Sequence, residues 1–377
     1  MTKEFPVTNS TLSANKIGEL LQHKYDLSEN IECKLFRAAM NHVYMVSDNS
    51  EQYVFRVYTF DWRTKIEIAE ELRFLIHLKE NKTNVSFPIA DNLNEYIQEL
   101  NAPEGKRFGV LFSFADGAKS ARFTAETSFF IGQALAKVHK SAENFALNRI
   151  TYNNKTLLID SVKRTREFFK KETDETKFIE RLANYLQNEF DNIDNEQIRF
   201  GAVHLDVWFD NMHFNEENKV TLFDFDFCGN GWLCLDISYF LLQLFITNLD
   251  ENDYKVKAES FLKGYETISK ISKEEKRILP IVCLAIMTYY ISMQCDRYEY
   301  WTNLFLNEDH LKRFVGNLKR WIAYNEIEIK VASSATCSSK KQIHSTIRII
   351  QNFKFVLYFS NLFVNRKKLN YNNELSL

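Results

Sequence analysis

Two short runs, 203-VHLDVWFDN-211 and 222-LFDFDF-227, hold the densest cluster of His, Asp and Asn side chains in the chain. Asp206 and Asn211 stand five residues apart across a predicted loop, and Asp224 follows 13 residues later out of an apolar run that resembles a strand. Moving a phosphoryl group onto an alcohol needs this set. One carboxylate must orient the hydroxyl and accept its proton, while a second carboxylate and an amide hold Mg2+ against the phosphate oxygens. Asp206 suits the first role, and Asn211 with Asp224 the second, because magnesium prefers hard oxygen donors. His204 is expected to hold the loop backbone or the Asp224 strand in place. Asp226 lies two residues beyond Asp224: a regular strand would point both the same way, and a turn would separate them, so Asp226 is a supporting or alternate metal residue. A zinc site is disfavoured, since His204, His213 and the nearby acids lack a zinc-ligand spacing.

The elements around this cluster divide the chain. Residues 17–25 suit a short helix, and IECKLFRA, HVYMVSD and QYVFRVY read as three antiparallel strands up to Tyr58. In KIEIAEELRFLIHLK, Ile68, Ala69, Leu72, Leu75 and Ile76 recur at helical spacing. Further strands are expected at Asn94–Leu100 and Phe108–Ser113. A small sheet with one main helix therefore forms an N-terminal lobe over residues 1–114, ahead of the connector ADGAKS. Helical spacing over 125–146, 174–191, 235–248, 253–268, 274–296 and 307–326 makes a second lobe, 115–328, mostly helical, with the reactive segment as a hairpin-like insert. Gly132 within a helix predicts close packing. Residues 329–377 begin linker-like, turn basic and aromatic, and are expected to lie outside the main fold as a disordered or peripheral tail.

Composition narrows the function classes. The 48 Lys plus Arg balance 50 Asp plus Glu, which gives no electrostatic footprint for nucleic acid. Six scattered cysteines without a C-x-x-C pair, and a polar N-terminus unlike a signal peptide, suit a reducing cytoplasm. The apolar stretch Ile281–Met287 is short and reads as buried helix, so no transmembrane segment is expected. Neither G-x-G-x-x-G nor G-x-x-x-x-G-K-[ST] occurs, which disfavours dinucleotide-binding and P-loop folds.

The ordered pair VHLDVWFDN and LFDFDFCGNGW, with Asp236 following in LCLDISYF, resembles the aminoglycoside phosphotransferase and choline kinase-like superfamily, above all its branch of bacterial stress-response kinases and type II homoserine kinases. The similarity of motif order runs over about residues 30–325. It implies an α+β, protein kinase-like fold of two lobes, with an antiparallel sheet and one main helix in the first and a mostly helical second. It implies ATP and Mg2+ as cofactors, Asp206 as base, Asn211 and Asp224 as metal ligands, His204 as a structural histidine, and Asp236 as the buried brace of the loop. Leu205 stands where the family commonly has glycine.

The resemblance also puts Arg56 at the family's phosphate-binding lysine, Asn41 before the second strand of the nucleotide lobe, and VLFSFADG at the connector whose backbone meets adenine. Arg56 shares a strand face with Val54 and Tyr58. On the following helix, Glu71 projects to the border of the apolar stripe and is the expected partner of Arg56, with Glu67 in reserve. A polar and aromatic patch after residue 288 includes Asp296 and Glu299; acids in this region of the resembling enzymes meet cationic acceptors. The expected activity is transfer of the γ-phosphate of ATP to a hydroxyl of a small molecule; an amine-bearing acceptor is one candidate, and the sequence does not distinguish among them. A protein Ser/Thr kinase and a catalytically weak nucleotide-binding scaffold are the alternatives, and the sequence sets no oligomeric state.

Overall fold

The computed structural model describes residues 5–120, 123–248, 250–298 and 305–329. Glu299 and the tail from residue 330 onward lie outside the described residues. In the N-terminal lobe, α1 (Ala14–Tyr25) precedes β1 (Glu32–Ala38), β2 (Asn41–Asp48) and β3 (Glu51–Tyr58); α2 (Lys65–Glu80) then leads to β4 (Ile97–Ala102) and β5 (Gly105–Ser113). The strands form one antiparallel sheet in the order β1-β2-β3-β5-β4. Alternation splits its residues between two faces. Tyr44, Val46, Phe55, Val57 and Leu111 pack against Ile17, Leu21 and Tyr25 of α1. Tyr58, Val110 and Phe112 face the main core with Ile68, Leu72 and Leu75 of α2. The start of α2 is fixed by a capping box: Glu67 N donates to Thr64 Oγ1 at 3.2 Å, and Thr64 N donates to the Glu67 carboxylate at 2.9 Å.

The α1-covered face also buries His42, which is 2% exposed and has no hydrogen-bond partner for Nδ1 among the described residues. Burial, with the nearby Arg107 cation adding to it, pushes His42 down to about 4. Between about pH 6.5 and 4 the unfolded chain therefore binds a proton that the folded chain refuses, and stability falls as pH drops. The loss is on the order of 2 kcal/mol by pH 4. Denaturant melts of the unaltered chain and His42→Phe across this range should converge at neutral pH and separate in acid; parallel curves would reject the assignment.

The C-terminal lobe contains α3 (Ala125–Ala142), α4 (Asp160–Phe168), α5 (Asp174–Asp191), β6 (Phe200–Val203), β7 (Met212–Phe214), β8 (Val220–Leu222), β9 (Gly229–Trp232), α6 (Cys234–Thr247), α7 (Glu251–Glu266), α8 (Lys273–Asp296) and α9 (Glu308–Tyr324). The packing expected at Gly132 is present and reciprocal. A Cβ there would lie 2.1 Å from the Phe261 carbonyl oxygen, and one on Gly264 would lie 2.0 Å from that of Phe129, so α3 and α7 touch through their backbones. Among the described residues, α8 alone is long and apolar enough to cross a membrane, yet 83% of its apolar window is buried inside the protein, as suits a core helix.

Candidate active site

Two antiparallel ribbons mount the reactive loops. β6 pairs with β9 from Val203 opposite Gly229, and β7 pairs with β8 from Met212 opposite Leu222. Segments 204–211 and 223–228 each link one ribbon to the other, so they run side by side, and Phe223 N donates to Asn211 O at 3.1 Å. Asp206 and Asn211 lie on the first loop and Asp224 on the second, near enough for its charge to bear on Asp206.

Asp206 is held at both carboxylate oxygens. Tyr239 OH and Tyr290 OH each lie 2.9 Å from Oδ1, and Asn211 Nδ2 donates to Oδ2 at 2.7 Å. The two tyrosine rings stack with centroids 5.1 Å apart. Tyr290 divides its single proton, because its hydroxyl is also 2.8 Å from Leu205 O. Burial raises Asp206 to about 6; the Asp224 carboxylate adds to the rise, while the two tyrosine donors oppose it.

The loop beneath is pinned by Asp236, which is fully buried on α6. Its carboxylate accepts from Leu205 N at 2.6 Å, His204 N at 2.9 Å and His139 Nε2 of α3 at 3.0 Å. Leu205 takes a left-handed conformation, φ 60°, which explains why glycine suits this position and costs a leucine about 1 kcal/mol. The Asp236 bond on one side and Tyr290 on the other hold it there. His204 Nε2 donates to Phe223 O at 3.1 Å, and its Nδ1 accepts from Asp206 N at 3.2 Å. It therefore ties the two loops together and points neither nitrogen at a metal.

A turn separates the two acids of the second loop. Asp224 has φ 64°, and its side chain stays 47% exposed with Oδ1 accepting from Arg56 Nη1 at 3.0 Å. Asp226 is turned inward, 2% exposed, and accepts from Trp62 Nε1 at 2.6 Å and Arg63 Nε at 3.1 Å. Burial pushes Asp226 upward, but the Arg63, Arg56 and Arg149 guanidinium groups and Trp62 hold it at about 2. Its carboxylate is thus occupied in joining the segment after β3 to the second loop.

Arg56 and Glu71 form an ion pair, and Tyr58 OH closes the group by donating to Glu71 Oε2 at 2.9 Å. Glu71 lies deeper than the border of the apolar stripe; it is fully buried, with Arg149 Nη1 3.7 Å from Oε2. Glu67 instead caps α2. Asn41 accepts from Thr59 N at 3.3 Å through its side-chain oxygen, which closes the first hairpin against β3. Asp296 is paired with Arg164 Nη1 at 3.2 Å.

Sequence reasoning passed over Tyr58, Trp62, Arg63, Arg149 and Tyr239. Two of them carried a signal: Tyr58 shares the strand face of Arg56, and Tyr239 stands three residues after Asp236 on one helix face. Among the described residues, no three His, Cys, Asp or Glu side chains gather as metal ligands. The donor set beside the base is the half-exposed Asp224 carboxylate and the Asn211 amide oxygen, a pair that fits a hard cation taking its remaining ligands from water and phosphate.

Residues 32–270 match the phosphotransferase enzyme family. An uncharacterised protein of Synechocystis sp. is 29% identical over 278 residues, 73% of this chain and 76% of its own length. A homoserine kinase of Bradyrhizobium diazoefficiens is 24% identical, over 72% of this chain and 78% of that protein. Among solved structures, an amicoumacin kinase in complex with AMP-PNP and Ca2+ shares the fold, with a TM-score of 0.67 over 84% of this chain and 95% of that one, at 17% identity.

Proposed function

Because the chain belongs to the phosphotransferase enzyme family and is an ATP-dependent kinase of a small molecule's hydroxyl, we propose that Asp206 accepts the hydroxyl proton, Arg56 meets the phosphates, and Asn211 and Asp224 hold Mg2+. One observation carries the assignment of the base. A carboxylate offers about four lone-pair sites. Both tyrosines approach Oδ1 of Asp206, whereas among the described residues Oδ2 accepts only the Asn211 amide and keeps a site for the incoming hydroxyl. As the acceptor oxygen bonds to the γ-phosphorus, the bond to the bridging oxygen breaks, ADP leaves, and the hydroxyl proton passes to Oδ2. Bound Mg2+ would neutralise charge on the phosphate oxygens. Arg56, steadied by Glu71, orients the phosphates opposite the base.

The acceptor is proposed to be a small amine-bearing alcohol, in keeping with relatives named homoserine kinase and amicoumacin kinase. Asp296 is a weak candidate for meeting that amine, because an ammonium would have to displace Arg164. Five free cysteines among the described residues are in keeping with a reducing, cytoplasmic setting. The lobes are taken as 1–114 and 115–328, with β5 ending at Ser113 in support.

The test is a mass-resolved screen of cell metabolites incubated with the chain and Mg-ATP. Gain of one phosphoryl group by a hydroxyl-bearing amine is the expected result; phosphate appearing on proteins alone, with metabolites inert, would overturn the reading of the acceptor. A finer check concerns the tyrosines. Hydrogen bonds to the charged carboxylate lower its pKa, so Tyr239→Phe should shift the acid limb of kcat/KM upward from about 6 and cost about tenfold in kcat. Tyr290→Phe should do less, since that hydroxyl is shared. Unchanged profiles in both variants would show that these hydroxyls only pack.

A further inference from the structure

A row of paired residues crosses the cleft-facing side of the sheet: Arg37 opposes Val43, Val43 opposes Arg56, Arg56 opposes Val110 and Val110 opposes Ile97. Residues paired directly across strands share a face. Arg37 joins this row only because β1 carries a bulge, where pairing steps from Leu35–Tyr44 to Arg37–Val43 and skips Phe36. Without that extra residue Arg37 would oppose His42, on the face that α1 covers. Two strand spacings put the backbones of Arg37 and Arg56 about 10 Å apart. Both side chains reach carboxylates on the reactive loops: Arg56 meets Asp224 at 3.0 Å, and Arg37 meets Asp210, the residue before Asn211, at 3.6 Å.

We propose that Arg37 is a second phosphate-binding cation, exchanging its contact with Asp210 for the terminal phosphates of ATP. The inference rests on the reading above that the phosphates lie between Arg56 and Asp224. The first hairpin, FRAAMNHVYMV, contains no glycine, so its backbone cannot approach a triphosphate as a glycine-rich loop does. A side-chain cation compensates for that. Arg56 alone is poorly placed to balance several phosphate charges, since Glu71 and Asp224 already share it. Arg37 is freer, with a side chain 38% exposed and, among the described residues, a single long ion pair. Its departure does not strand Asp210, which has a closer partner in Lys119 Nζ at 2.6 Å. Exchange of an exposed, loose pair for a phosphate contact therefore costs little.

Calorimetric titration of the full chain with ATP and with AMP tests this. Arg37→Ala should weaken ATP about tenfold and AMP less than twofold, and Arg37→Lys should recover most of the loss. Asp210→Asn, which frees the guanidinium, should bind ATP as tightly as the unaltered chain or a few-fold tighter. Arg37→Ala binding ATP within twofold of the unaltered chain would overturn the proposal. So would equal losses for ATP and AMP, which would mark a role in hairpin shape alone. Failure of the unaltered chain to bind ATP would instead bring down the nucleotide reading, and this inference with it.

Discussion

An Asp206→Asn chain is expected to turn over about a thousandfold more slowly than the unaltered one while holding Mg-ATP within a few-fold. The asparagine keeps the shape of the carboxylate and can still accept from the tyrosine hydroxyls, but it cannot take a proton. The pH dependence follows from the same group. In the free enzyme the working form is the ionised one, so kcat/KM should climb as pH rises through about 6 and flatten above it. The sign for stability is the reverse. A carboxyl whose folded pKa is raised binds its proton more tightly when folded, and the chain loses stability as pH rises from about 4 to about 6. Asp206→Asn should therefore melt at the same temperature or higher at pH 7. Single-turnover assays and thermal melts decide the matter together: unchanged turnover removes Asp206 from the chemistry, and a strongly lowered melting temperature assigns it to the scaffold.

Glu71→Ala should produce the largest loss of stability, about 3 to 5 kcal/mol. Its carboxylate is fully buried and meets Arg56, Tyr58 and Arg149, so its removal strands positive charge inside the core. For a chain of this size such a loss lowers the melting temperature by roughly 5 °C. ATP affinity should fall with it, because Arg56 would then keep the Tyr58 hydroxyl and the half-exposed Asp224 but lose its buried carboxylate. Glu71→Gln keeps the hydrogen-bonding shape and should recover part of the stability. Thermal melts within a degree of the unaltered chain for Glu71→Ala would show that Arg56 finds its support elsewhere.

The two-lobed fold was legible because its parts carry strong local periods. The apolar spacing in α5, α8 and α9, and the alternation of β2 and β3, announce themselves within a dozen residues. α4 escaped because its buried side is made by Ser161 and Thr165, so DSVKRTREF has no apolar stripe to read. The depth of Glu71 was equally hidden. Helical projection put it at a border, whereas its burial depends on Arg56 and Arg149 arriving from outside the helix. The turn at Asp224 was one of two open readings, and only the backbone angle separates Asp224 from Asp226. Leu205 stood out as a departure from the family's glycine; the bonds to Asp236 and Tyr290 show how its left-handed conformation is restrained.

The backbone contacts of Gly132 with Phe261 and of Gly264 with Phe129 bear on how stiffly the site is mounted. With main chain against main chain there is no compressible layer between α3 and α7, so neither can slide without first pulling away from the other. α3 also supplies His139 to Asp236, which means the anchor of the catalytic loop stands on a stiff girder. Any rearrangement that admits nucleotide therefore leaves the α3–α7 seam, and the Asp236 anchor standing on it, in place.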